Sequence, residues 1–151
     1  MKNIKNIVVP TDFSVTSRNA FGYSKGLASV LDATITVVHV KEYLMPSYDL
    51  ASVNVTQITE SEANQALQNF INDEASEKEI MNNYFTSHKT QIKTQILDGS
   101  ADSSLIELSD DSDTDLIVIG ATGLQDFIAR MTGTTSLNVA KGAHCPVLLI
   151  P

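Results

Sequence analysis

Two segments carry the residue types from which a polyphosphate cradle is built: Gly120-Ala121-Thr122-Gly123 and, after the nine residues Leu124 to Thr132, Gly133-Thr134-Thr135-Ser136. Glycine leaves no Cβ in the way and reaches positive φ, so backbone N–H groups can come close to an anion. Thr134, Thr135 and Ser136 add hydroxyl donors. A helix from about Thr134 to Gly142 would aim its free N–H groups and positive dipole end at the same charge. Just upstream, Leu116-Ile117-Val118-Ile119 is a charge-free, β-branched run suited to a central parallel strand, which places the first glycines where that strand ends. The chemistry implied is the binding of nucleotide phosphates.

Other chemistries fail on their defining residues. A Walker loop needs lysine after its last glycine, and Gly133 is followed by Thr134. A dinucleotide fingerprint would follow the first strand, where Pro10-Thr11-Asp12-Phe13-Ser14 stands instead. Asp111, Asp113 and Asp115 imitate the opening of a calcium loop, but Leu116 occupies the glycine position and Thr122 the glutamate position, so a solvated connection is expected. His39 lies inside an apolar strand and reads as a packed, hydrogen-bonded imidazole, with no serine or cysteine nucleophile to match it. Cys145 is the sole cysteine, expected as a small buried thiol; it rules out an intrachain disulfide.

The positioning elements follow from periodicity. Ile4 to Val9 and Thr34 to Val40 read as buried strands, separated by a helix that Ser14 could cap and that turns Ala20, Phe21, Leu27, Ala28 and Leu31 inward. Apolar residues from about Gln57 to His88 recur at helical spacing. Thr90 to Leu97 alternates as a third strand, Ser100 to about Asp110 forms a helix, Leu116 to Ile119 a fourth strand and Val147 to Ile150 a fifth. Alternating strands and helices predict a parallel sheet covered on both faces. With 151 residues, one core of ordinary domain size is expected. Ten basic against eighteen acidic side chains, a formal charge of -8, oppose binding to nucleic acid. No apolar run approaches the roughly 20 residues that span a bilayer, and no signal-peptide region stands at the start, so no membrane partner and a cytoplasmic location are expected.

From Asn6-Ile7-Val8-Val9-Pro10-Thr11-Asp12-Phe13-Ser14 to Cys145-Pro146-Val147-Leu148-Leu149-Ile150, the chain resembles the universal stress protein family. The ATP-binding members of that family carry Gly-x-x-Gly, nine residues, then Gly and Ser or Thr. The resemblance implies an α/β fold of the adenine nucleotide alpha hydrolase-like type. That fold is a Rossmann-like three-layer sandwich around a five-stranded parallel sheet in the order 3-2-1-4-5, one domain over residues 1–151. It places Pro10, Thr11 and Asp12 against adenine and ribose. Val38 and Val40 lie at the end of the second strand, with backbone groups at Val40 offered to the adenine edge, and Ile119 and Gly120 border the base and ribose. Gly123, Gly133, Thr134, Thr135 and Ser136 match phosphate-contacting positions. Thr122 stands where some relatives have histidine, and its hydroxyl can still donate. Arg130 could offset phosphate charge, and Asp12 could instead cap the first helix together with Ser14.

The implied ligand is ATP, with Mg²⁺ or Mn²⁺ held mainly by the phosphates. The apolar last strand, Val147 to Ile150, would leave an open sheet edge unless covered. Similar proteins pair this strand antiparallel across a two-fold axis, so a homodimer is expected. The function implied is a cytoplasmic, nucleotide-dependent stress-response regulator with at most slow ATP hydrolysis. One alternative is an enzyme of the ATP pyrophosphatase or adenylyl-transfer type, which would need a Ser-Gly-Gly-x-Asp-Ser loop where this chain has Pro10 to Ser14. The other is a dimeric interaction module independent of nucleotide.

Overall fold

The computed structural model describes residues 3–42, 58–76, 90–121 and 135–151. Along the chain run β1 (Asn6–Pro10), α1 (Val15–Leu31), β2 (Thr34–Lys41), α2 (Glu60–Ser76), β3 (Ile92–Asp98), α3 (Ala101–Ser109), β4 (Leu116–Gly120), α4 (Thr135–Gly142) and β5 (Val147–Ile150). The strands form one five-stranded sheet in the order β3-β2-β1-β4-β5, and every pairing is parallel. The strand order reverses between β1 and β4, with Ile7 beside Leu116 and Val8 beside Ile117.

Residues of alternate parity along each strand serve opposite faces. Ile7, Val9, Ile35, Val37, Leu116 and Val118 join Ala20, Phe21 and Ala28 of α1 and Leu67 and Phe70 of α2 in one core. Val8, Val38, Ile117 and Ile119 join Leu105 of α3 and Val139 of α4 in the other. Phe21 and Phe70 lie 5.5 Å apart between ring centroids and are fully buried. Each such side chain contributes about 1.5–3 kcal/mol over its exposed state. Of the residues expected inward on α1, Ala20, Phe21 and Ala28 thus lie in this core, and Leu27 and Leu31 pack against it. The apolar spacing that continues to His88 lies, beyond Ser76, outside the described residues.

The ends of α1 are set by local chemistry. Ser14, in extended conformation, accepts the Ser17 amide on its side chain as the expected cap. At the other end Asp32 turns left-handed at φ 51°, and Lys5 Nζ donates to the Leu31 and Asp32 carbonyls at 3.1 and 3.0 Å. Helix α2 opens on a reciprocal pair, in which Thr59 donates to the Glu62 carboxylate and receives the Glu62 amide.

Asp115 corrects the expectation of a solvated acidic connection. Asp111 and Asp113 are exposed, but Asp115 is only 8% exposed. Its Oδ2 accepts the amides of Lys5 and Asn6, both at 3.0 Å, and its own amide donates back to the Asn6 carbonyl. This carboxylate ties the start of β1 to the start of β4. No helix among the described residues is long and apolar enough to cross a membrane.

Candidate functional site

Crevices at the carboxyl ends of parallel strands open where the strand order reverses. Here that place is bounded by the turn after β1 and by the end of β4. Pro10 closes β1 in register with Val38, and the Thr11 amide donates to the Val38 carbonyl at 2.8 Å. Val38 is 0% exposed and belongs to the second core. Val40, two residues on and facing the same core, is half-buried beside Leu97 of β3.

Thr11 is the hub of the turn. Only 6% exposed, its Oγ1 accepts the Phe13 amide at 2.9 Å and shares a hydrogen bond with Ser17 Oγ at 3.0 Å. The Thr11 carbonyl lies 2.9 Å from Nδ1 of His39, and the His39 and Phe13 rings sit 4.6 Å apart between centroids. The packed, hydrogen-bonded imidazole expected of His39 is therefore observed. Phe13 adopts φ 65°, a left-handed conformation that costs a phenylalanine about 1–3 kcal/mol and persists where surrounding bonds over-determine it.

That twist leaves Asp12 exposed at the tip, its Oδ1 accepting the Ser14 amide at 3.0 Å. Partial desolvation pushes the Asp12 carboxyl up, but the Ser14 hydroxyl and amide and the Ser17 hydroxyl together outweigh it and hold its pKa below the ordinary value. Ser14 is the helix cap and Asp12 braces it, so the carboxylate stands ionised at the mouth of the crevice.

On the β4 side, Ile119 is buried in the second core and Gly120 ends the strand. Gly120 does not have positive φ. A Cβ there would stand 2.6 Å from the carbonyl carbon of Thr16 and 2.9 Å from the Ser17 amide nitrogen. The glycine expected for its access to phosphate is thus required by the close approach of α1, which no local sequence pattern reports. Ser17 consequently touches both walls: its backbone abuts Gly120 and its hydroxyl meets Thr11. Ser17 escaped the sequence reading, although a serine three residues after a capping serine is a visible signal.

Helix α4 begins at Thr135, which is exposed, while Ser136 is 3% exposed. Its first turn holds no acidic side chain, and Asn138 Nδ2 ties that turn to Asp102 of α3 at 2.9 Å. Asp102 is held below its ordinary pKa, first by the Ser100 hydroxyl, then by the Asn138 amide and the Ser103 N–H. Thr122, Gly123, Arg130, Gly133 and Thr134 lie outside the described residues. Pro10, Thr11, Asp12, Val38 and Gly120 lie at or near the carboxyl ends of β1, β2 and β4, with His39 and Ser17 in contact with Thr11. Cys145, expected to be buried, is half-buried. Among the described residues no group of three or more His, Cys, Asp or Glu side chains could hold a metal ion.

A family model described as the universal stress protein family matches residues 3–151. A universal stress protein of Methanocaldococcus jannaschii is 27% identical over 150 residues, covering 97% of this chain and 81% of that protein. Among solved structures, a universal stress protein in complex with cAMP superposes with TM-score 0.70 at 23% identity, covering 99% of this chain and 98% of the other. A universal stress protein from Archaeoglobus fulgidus in complex with dAMP superposes with TM-score 0.63 at 15% identity, covering 100% of each chain. The five-stranded parallel sheet and its order are the fold of these proteins.

Proposed function

The chain belongs to the universal stress protein family, and from that membership we propose that it binds an adenine nucleotide, ATP foremost, between β1 and β4 and acts as a nucleotide-dependent stress-response regulator. The observation that carries this reading is the double role of Ser17, which spaces the Thr11–Asp12 turn from the end of β4 at the point where the strand order reverses. An adenine nucleotide as ligand class is supported by the two relatives in complex with cAMP and dAMP.

The described residues fit a nucleoside. Asp12 offers an exposed, ionised carboxylate to ribose hydroxyls, and the backbone ends of β2 and β4 at Val40 and Gly120 offer edges to the base. In this reading the phosphates fall to Thr122, Gly123, Gly133, Thr134, Thr135 and Ser136, with Arg130 offsetting charge. The first turn of α4 supplies N–H groups unopposed by any acid of its own. Mg²⁺ or Mn²⁺ enters on the oxygens of the triphosphate. Turnover is slow at most, since no lysine follows Gly133 to steady the developing charge.

Residues 1–151 act as one domain in the cytoplasm, and β5, at the open edge of the sheet, pairs with its copy in a homodimer. The test is to release and identify any nucleotide carried through purification, then to titrate ATP, AMP and cyclic AMP calorimetrically with Mg²⁺. ATP should bind at one per chain. Absence of binding by all three would overturn the reading.

A further inference from the structure

We propose that His39 is a positioning residue for the nucleoside-facing turn, fixing through Thr11 and Phe13 the backbone that presents Asp12. A carbonyl oxygen can only accept, so the 2.9 Å contact between His39 Nδ1 and the Thr11 oxygen requires the proton on Nδ1. The same ring packs against Phe13 at 4.6 Å, and Phe13 is the left-handed residue that turns Asp12 outward.

Five hydrogen bonds hold the turn: the Thr11 amide on the Val38 carbonyl, the Phe13 amide on Thr11 Oγ1, the bond shared by the Thr11 and Ser17 hydroxyls, the Ser14 amide on Asp12 Oδ1, and the His39 ring on the Thr11 carbonyl. The first four lie within the strand pairing, the turn and the start of α1. Only the fifth reaches it from a side chain of another strand while also bracing Phe13. Without His39 the Thr11 carbonyl loses its donor, and Phe13 loses a ring that opposes its return to an ordinary backbone conformation. Asp12 would then sample orientations unsuited to ribose. The inference rests on the reading of this turn as the nucleoside end of the site.

Its test compares adenosine with ATP in the intact protein and in two variants. His39→Leu removes the donor. His39→Asn keeps an amide nitrogen close to the place of Nδ1. His39→Leu should weaken adenosine and ATP by the same factor, about tenfold for one lost hydrogen bond in a partly buried site. His39→Asn should bind both within about threefold of the parent. Unchanged affinity in His39→Leu, a loss confined to ATP, or a His39→Asn variant as weak as His39→Leu would each overturn the proposal.

If the parent binds neither ligand, the functional reading itself has failed. The positioning role is then judged from amide hydrogen exchange at Asp12, Phe13 and Ser14. Faster exchange in His39→Leu but not in His39→Asn sustains it, and parental exchange in His39→Leu overturns it. Should His39→Leu fail to fold, His39→Gln, whose amide lies one bond farther from the backbone, replaces it in both measurements.

Discussion

Gly120 meets Thr16 backbone to backbone: a Cβ at position 120 would stand 2.6 Å from the Thr16 carbonyl carbon and 2.7 Å from its oxygen. The missing side chain sets how near the first turn of α1 comes to the end of β4, and so the separation of the two crevice walls.

Gly120→Ala should therefore act on stability and binding together. Backbone atoms cannot rotate aside as a flexible side chain can, so α1 must shift, at about 1–3 kcal/mol. Urea unfolding should record that loss, and ATP should bind more weakly than to the parent. An unfolding midpoint equal to the parent's would show that α1 does not press on this residue.

Asp115→Ala removes the acceptor of two backbone amides at a nearly buried position. The unpaired amides should cost about 2–4 kcal/mol. Asp115→Asn keeps a side-chain oxygen and should lose less. Equal unfolding free energies for the parent and the alanine variant would contradict the tie between the starts of β1 and β4.

The acid side of the stability profile should carry Asp12 and Asp102, both with folded pKa below the ordinary aspartate value of 3.8. Such a carboxyl takes up its proton more readily in the unfolded chain. Its contribution is complete above the unfolded pKa and is lost as pH falls through the folded one. The urea midpoint should thus decline below about pH 4. In Ser14→Ala the Asp12 carboxyl should titrate at higher pH in a carboxylate NMR titration. A double variant Asp12→Asn, Asp102→Asn with the parent's full acid-side decline would sink the assignment.

Light scattering at micromolar concentration should give twice the chain mass. Leu149, 37% exposed on β5, lies on the proposed dimer strand. Leu149→Lys places a charge there and should give monomers with little change in the unfolding of the single chain. A parent protein of single-chain mass would exclude the proposed pairing.

The strands were legible because β-branched runs and alternation are local signals: Thr34 to Val40 and Val147 to Ile150 lie within one residue of the strands observed. The Ser14 cap was legible for the same reason. The start of α2 could have been placed better, since Thr59 and Glu62 carry the spacing of a capping box. Asp115 was misread, and the packing of Gly120 against α1 went unread, for a shared reason. Each is shaped by a partner about a hundred positions away, Asn6 in one case and Thr16 in the other. An aspartate among aspartates looks solvated, and a glycine after a strand looks like a turn, until the distant backbone is in place. Phe13 gave no sign at all, because nothing in a phenylalanine announces a left-handed residue. The positions proposed for the site could be named from the sequence, but the contacts of Thr11 with Phe13, Ser17 and His39 could not.

The central place of β1 has a consequence for the order of assembly. This strand precedes both of its neighbours along the chain, and β2 can flank it early. Its other neighbour arrives only with Asp115, whose carboxylate grips the Lys5 amide from 110 positions downstream. Contacts that distant close large loops and form late. In a growing chain the Thr11–Asp12 turn would therefore wait, one-walled, until β4 has been made. The second wall arrives only with the docking of β4, so on the nucleotide-binding reading proposed above, capture of the ligand and completion of the fold would become a single event.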